Sequence, residues 1–271
     1  MSTRNSQSNK AAARERLREE RERDVRKAKV RRQFTVAGAA VVVLAIAGGV
    51  SYAVVQSNKP SEWQAAKDAT TVVAPKNTSG QDGTTVIIGK ASAKKTLVEY
   101  EDSRCPVCAQ FEQTVGPTVQ KDLDAGTFKL QYVGATFLDN SDNGSGSKNA
   151  LSALGAALNV SPEAFLQYKS ALYSAQFHPE ESADKFAKDD YLFKVADSVP
   201  ALKGNAAFQK AVKDGTYDAW AMKMSAAFDK SGVQGTPTFK MDGKTLTAQG
   251  SENPPMTVAE FSSALSTALK G

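Results

Sequence analysis

Twenty-two consecutive residues without a charge, 34–55 (FTVAGAAVVVLAIAGGVSYAVV), divide this chain into parts that must fold separately. A helix of that length, rising 1.5 Å per residue, crosses a hydrocarbon core about 30 Å thick. The run lacks the polar face of a helix at the surface of a globular core, and its length argues against a buried core helix. A cleaved leader has a shorter apolar segment and a small-residue cleavage site, so the run is predicted to be a retained transmembrane signal anchor. Ala45 and Gly49 form a small-xxx-small pair, a weak signal for helix pairing in the bilayer.

Charge sets the orientation. Residues 1–33 hold twelve Lys or Arg against five Asp or Glu, a net of +7, leaving −2 of the chain's +5 for the remainder. The next basic residues are Lys59 and Lys67. Positive charge stays on the cytoplasmic side, so 1–33 is predicted to be a cytoplasmic arm and the rest extracytoplasmic. The arm's interleaved charges suit a solvated helix near lipid headgroups. Without interleaved aromatics it gives no reason to expect nucleic-acid binding.

Residues 56–83 are polar and read as a linker, with a short helix at 62–68. The folded domain is expected over 84–271. Strands are predicted at 84–88, 96–101 and 128–133. Between the last two, Cys108, Phe111, Val115, Val119 and Leu123 recur at helical spacing, with a kink at Gly116-Pro117. Helical patterns fill 148–158, 162–175, 191–199, 206–214 and 217–230. Strands return at 238–241 and 244–247 around an Asp242-Gly243 turn, and a last helix covers 258–269. The order βαβ, helices, ββα predicts an α/β fold whose mixed sheet is interrupted by a helical insertion at about 140–234, far longer than an ordinary connection.

The chain's two cysteines, Cys105 and Cys108, stand where a strand runs into a helix: EYEDSRCPVC. A thiol there faces unpaired backbone N–H groups and the positive end of the helix dipole, which favour the nucleophilic thiolate. Pro106 suits the first helical position. The spacing lets Cys108 reach Cys105 and resolve a mixed disulfide. Two other readings stand beside this one. A structural disulfide closing so small a loop would contribute about 2 kcal/mol, against nearly 5 for a 100-residue loop. A zinc site wants four ligands, and the chain has no second cysteine pair and a single histidine, His178, so no metal is expected unless two chains share one. His178 lies in a loop-like stretch and reads as a surface or capping residue. Trp63 and Trp220 read as packing residues. In GTPTF (235–239), Pro237 opens a strand, and sequence alone leaves its peptide bond cis or trans.

VEYEDSRCPVC, a helical insertion and GTPTF together resemble the DsbA-like branch of the thioredoxin superfamily, over roughly 84–271. The resemblance implies a thioredoxin-like fold with Cys105 and Cys108 as the redox pair and no other cofactor. It implies a cis Pro237 packed against the pair, with Thr236 tuning redox behaviour. It also implies a buried carboxylate six residues before the first cysteine, a position held by Glu99, that moves a proton to or from Cys108. Strand alternation does not decide whether Glu99 is buried, since Leu97 shares its face and Val98 and Tyr100 the other. The strongest oxidants of that branch carry His between the cysteines, and here Pro106-Val107 stand there. Val107 offers no charge, and Arg104 is the residue available to compensate. The expected Cys105 pKa is therefore below that of free cysteine but above that of the strongest oxidant, with a potential between about −120 and −270 mV. The expected function is a dithiol oxidase for exported proteins, reoxidised by a membrane partner. A reductase or isomerase using the same site, or a non-catalytic peptide-binding scaffold, are the alternatives; the lack of a visible dimerisation domain favours the oxidase.

Overall fold

The computed structural model describes residues 61–141 and 144–270. The basic arm and the apolar run expected to anchor it lie outside the described residues. Among those described, no helix is long and apolar enough to cross a membrane.

A five-stranded sheet organises the domain: β1 (Val86–Ile88), β2 (Thr96–Asp102), β3 (Lys129–Ala135), β4 (Thr238–Met241) and β5 (Lys244–Thr245), in the order β1-β3-β2-β4-β5. β2 is central, parallel to β3 and antiparallel to β4, with Leu97 beside Leu130 and Glu99 beside Phe239. Its alternation resolves the question left open above. Leu97, Glu99 and Glu101 face the interior, while Val98 and Tyr100 are half-buried.

Two helices join β2 to β3: α2 (Pro106–Thr114) and α3 (Gly116–Ala125). The kink expected at Gly116-Pro117 is a full break at Val115, because Pro117 has no N–H to give and its ring would crowd the carbonyl one turn back. α3 stops at Gly126, whose φ of 80° suits a residue without a Cβ. The insertion between β3 and β4 holds α4 (Gly146–Val160), α5 (Pro162–Tyr173), α6 (Asp189–Ala196), α7 (Ala206–Lys213) and α8 (Asp218–Lys230). α4 is its centre, buried along most of its length. α5 starts where Ser161 Oγ accepts from Ala164 N–H at 3.0 Å and Pro162 takes the first position. After the sheet, α9 (Val258–Lys270) brings Phe261 against Phe111 of α2 and Phe239 of β4. The Phe111 and Phe239 rings lie 4.3 Å apart, which fixes α2 from beneath.

Residues 61–83 are docked, in contrast to the linker expected there. Glu62–Asp68 forms the expected short helix, labelled α1 here for Glu62–Asp68, with Ser61 as its cap. Further along, Lys76 N–H donates to Asn159 Oδ1 and Asn77 Nδ2 to Leu158 O, each at 3.2 Å. Trp220, fully buried on α8, donates from Nε1 to Gly83 O at 2.8 Å. The folded region therefore reaches back to Ser61 instead of starting near residue 84.

Candidate active site

Asp102 shapes the turn from β2 into α2. Its Oδ1 accepts from Arg104 N–H at 3.0 Å and from Ser147 Oγ at 2.6 Å, and its Oδ2 from Leu138 N–H at 3.2 Å. Its carbonyl accepts from Cys105 N–H at 2.9 Å. Cys105 thereby becomes the N-cap of α2 with Pro106 at the first helical position. Burial raises the Asp102 carboxyl to about 7, against these hydrogen bonds.

Both cysteines are free thiols, Cys105 only 6% exposed and Cys108 fully buried. The Cys105 Sγ lies 3.4 Å from Thr236 O, and the Thr236–Pro237 peptide bond is cis. The Cys108 thiol donates to Cys105 and is the largest influence on it. With the Thr236 side chain and the N–H groups of Cys108 and Val107, it outweighs burial and lowers Cys105 to about 6. Cys108 moves the opposite way, raised well above a free thiol by burial, by its bond to Cys105 and by the charge of Glu101.

Behind Cys108 lies a charged cluster. Lys169 of α5 places Nζ 3.0 Å from Glu99 Oε2, 3.1 Å from Glu101 Oε2 and 3.0 Å from Glu112 Oε2. The three carboxylates are close enough to hold a cation, and the ammonium occupies that position. One ammonium does not neutralise three carboxylates. Burial, with the neighbouring acids, raises the Glu99 and Glu101 carboxyls despite Lys169. Burial works against the Lys169 charge, yet the three acids hold its pKa well above the ordinary value. Glu112 and Lys169 also line a groove of about 800 Å³ between α3 and α5, which brings solvent to the edge of the cluster. Gly116 keeps that edge open, since a Cβ there would meet the Glu112 carboxyl carbon at 2.9 Å.

The structure thus brings Cys105, Cys108, Pro106, Val107 and Thr236-Pro237 together. Val107 contributes its backbone N–H while its side chain is 44% exposed. Glu99 is buried one step away, and Glu101 is the carboxylate whose charge acts on Cys108. Arg104 is a correction. Its side chain, expected to compensate at the thiolate, is buried and turned into the insertion. There it meets Asp139 Oδ1 at 3.0 Å, Asp184 Oδ1 at 3.4 Å and Glu181 O at 2.7 Å. His178 stacks on Tyr173 with ring centroids 5.9 Å apart and is half-buried. Sequence reasoning missed Glu101, Glu112 and Lys169. Glu101 repeats the β2 face of Leu97 and Glu99, a visible signal. Lys169 lies 61 positions after Cys108 in an ordinary amphipathic helix, which carries none.

The thioredoxin family model matches residues 81–266. Disulfide bond formation protein D of Bacillus subtilis (strain 168) is 27% identical over 161 residues, 59% of this chain and 68% of that protein. Thiol:disulfide interchange protein DsbL of Escherichia coli O6:H1 is 28% identical over 159 residues, 57% of this chain and 71% of its own. Among solved structures, reduced DsbA from Mycobacterium tuberculosis superposes with a TM-score of 0.54 at 25% identity, over 69% of this chain and all of that one. Oxidised BdbD from Bacillus subtilis gives 0.58 at 24% identity, over 73% and 99%, and shares the fold. A low-pKa cysteine capping a helix beside a cis proline, on a sheet with this helical insertion, is common ground for geometry and sequence: the chain belongs to the thioredoxin family and is a DsbA-like thiol–disulfide oxidoreductase.

Proposed function

We propose that the protein is a dithiol oxidase acting on exported proteins outside the cytoplasm, held there by the apolar run at 34–55. The observation that supports this reading is the placement of the cysteines: Cys105 caps α2 beside Thr236, where its thiol is lowered to about 6 and the reduced pair is stabilised, while Cys108 is buried and raised. In the disulfide form a substrate thiolate attacks Cys105 Sγ. The Cys105–Cys108 bond breaks, a substrate–Cys105 bond forms, and the electron pair leaves on Cys108. Cys108 takes a proton from the carboxyl cluster, Glu101 being the charge closest in effect and Glu99 its neighbour on Lys169. The groove at Glu112 returns a proton to the cluster. A second substrate thiolate then attacks the substrate sulfur of the mixed disulfide. Cys105 leaves as a stabilised thiolate, which favours transfer of the disulfide to the substrate. The redox group is the cysteine pair itself, so no bound cofactor is needed. A membrane redox partner, quinone-linked by analogy with the family, takes the two electrons and restores the disulfide. Thr236 and Pro237 line the approach to Cys105 and bind the substrate backbone. The basic arm is the topology signal, with no nucleic-acid role.

The test combines trapping with redox state. Cys108→Ala should accumulate mixed disulfides through Cys105 on non-reducing gels, and the wild-type pair should be oxidised in growing cells. A predominantly reduced pair would turn the assignment to reductase or isomerase. The absence of trapped species would leave only the scaffold reading. Labelling of Cys105 in intact cells by a membrane-impermeant thiol reagent, after reduction, tests the location; protection from it would overturn that part.

A further inference from the structure

The mechanism above leaves the Tyr173 hydroxyl without a task. Tyr173 ends α5, is fully buried and packs in one cluster with Cys105, Cys108 and Ala109. Its backbone carbonyl accepts from Gln113 of α2 at 2.7 Å, which seats the ring against the cysteine helix. One face of the ring stacks on His178, and Lys169, one helical turn earlier, holds Nζ 5.6 Å from the ring centroid. The hydroxyl, however, has no hydrogen-bond partner among the described residues. Burying an unsatisfied hydroxyl costs about 1–3 kcal/mol, and a phenylalanine would fill the same space without that cost. Among the groups whose charge acts on that hydroxyl is Cys108, whose sulfur becomes a strong acceptor when it is ionised.

We propose that Tyr173 is a positioning residue for the resolving cysteine: its hydroxyl donates to the Cys108 sulfur when that sulfur carries charge, during the lifetime of the mixed disulfide. This rests on the thiol–disulfide exchange described above and deepens it, because it makes the helical insertion part of the redox centre. No bond changes at Tyr173. It remains a neutral donor while the electron pair resides on Cys108, and the proton that quenches Cys108 comes from the carboxyl cluster. The surroundings suit this division. Cys108, Glu101, Tyr132 and Asp102 all bear electrostatically on the Tyr173 phenol, and with burial they keep it protonated through the working pH range. The groups acting on Cys108 are then Cys105 on α2 and Glu101 and Asp102 on β2, with Tyr173 of α5 packed beside it; Tyr132 of β3, Lys169 of α5 and His178 bear on the Tyr173 ring. Of these, Tyr173 is the uncharged donor packed in the cysteine cluster.

Tyr173→Phe keeps the ring, the stack and the Gln113 contact, and removes only the hydroxyl. The reduced protein is mixed with an aromatic disulfide reagent that releases a coloured thiol. The first release reports attack by Cys105, and the second reports attack by Cys108 on the resulting mixed disulfide. The second phase should slow by roughly three- to ten-fold in Tyr173→Phe, since a higher thiol pKa lowers the thiolate fraction more than it raises intrinsic nucleophilicity. Its pH profile should shift upward, and the first phase should be unchanged. Thermal stability of the reduced protein should be equal or higher. A variant that is more stable, with both phases and the pH profile as in wild type, would overturn the inference: the hydroxyl would then be an idle buried group. The reagent assay needs no biological substrate. A wild-type protein that resolves the reagent but oxidises no dithiol peptide would instead count against the oxidase reading alone.

Discussion

At the scale of single residues, the site works by driving two chemically identical groups apart. Cys105 has backbone N–H groups, the Thr236 side chain and a donating thiol around it; Cys108 has burial and a carboxylate. A thiol at about 6 lies between a free cysteine and the roughly 3.5 of the strongest oxidants, as expected without a histidine between the cysteines. Alkylation of the reduced protein should therefore follow a single group with a midpoint near pH 6, abolished in Cys105→Ser. Relative to an unperturbed thiol, the ionised Cys105 stabilises the reduced form at pH 7 by about 1.4 kcal/mol, or about 30 mV towards oxidising potentials. Asp102 gives a second prediction. Its folded pKa of about 7 is raised above the ordinary value of 3.8, so the folded state binds more protons than the unfolded state between those values. Its contribution to stability is present below pH 4 and is lost as pH rises through 7. Denaturation midpoints should fall over that range, and Asp102→Asn should flatten the decline. Glu99 and Glu101, also raised by burial, act with the same sign. Both cysteines could be read from sequence because their chemistry is tied to local position, whereas the cis Pro237 was legible only through the resemblance. Lys169 could not, because its role depends on a contact across 57 to 70 residues of chain.

Elements were legible where periodicity was strong and faded where partners decide. The strand at 238–241 and the five helices of the insertion stand where apolar spacing places them, with ends shifted by a few residues. The break at Val115 was legible only as a kink, since its extent depends on where α3 docks. The docking of 61–83 was hidden because its anchors are backbone carbonyls and single polar side chains, which polar composition does not distinguish from a tether. Trp220 makes this testable. Trp220→Ala empties the space filled by the ring against Gly155 and orphans the Gly83 carbonyl. A loss of about 3–5 kcal/mol in chemical denaturation is expected. Protease cleavage within 61–83 should also become faster than in wild type.

The whole molecule joins a redox sheet to a helical insertion through charges neither half could bury alone. The strand order β1-β3-β2-β4-β5 follows from pairings distant in sequence, and a linear pattern does not contain it. The join itself is Arg104, next in sequence to Cys105 and clasped by Asp139 and Asp184 from the far side of the fold. Arg104→Met should destabilise the protein by about 3–5 kcal/mol, because it leaves Asp139 charged and buried with one partner fewer. Asp139 also accepts from Ser147 and Lys148 N–H groups, so the damage should spread to the start of α4 and appear as faster amide exchange there. Swinging the insertion away from the sheet would separate the Arg104 guanidinium from both carboxylates and from the Glu181 carbonyl, at a cost of about 3–5 kcal/mol. The cysteine turn is thus held by the insertion as firmly as by its own strand, and a substrate thiol meets a surface already in shape.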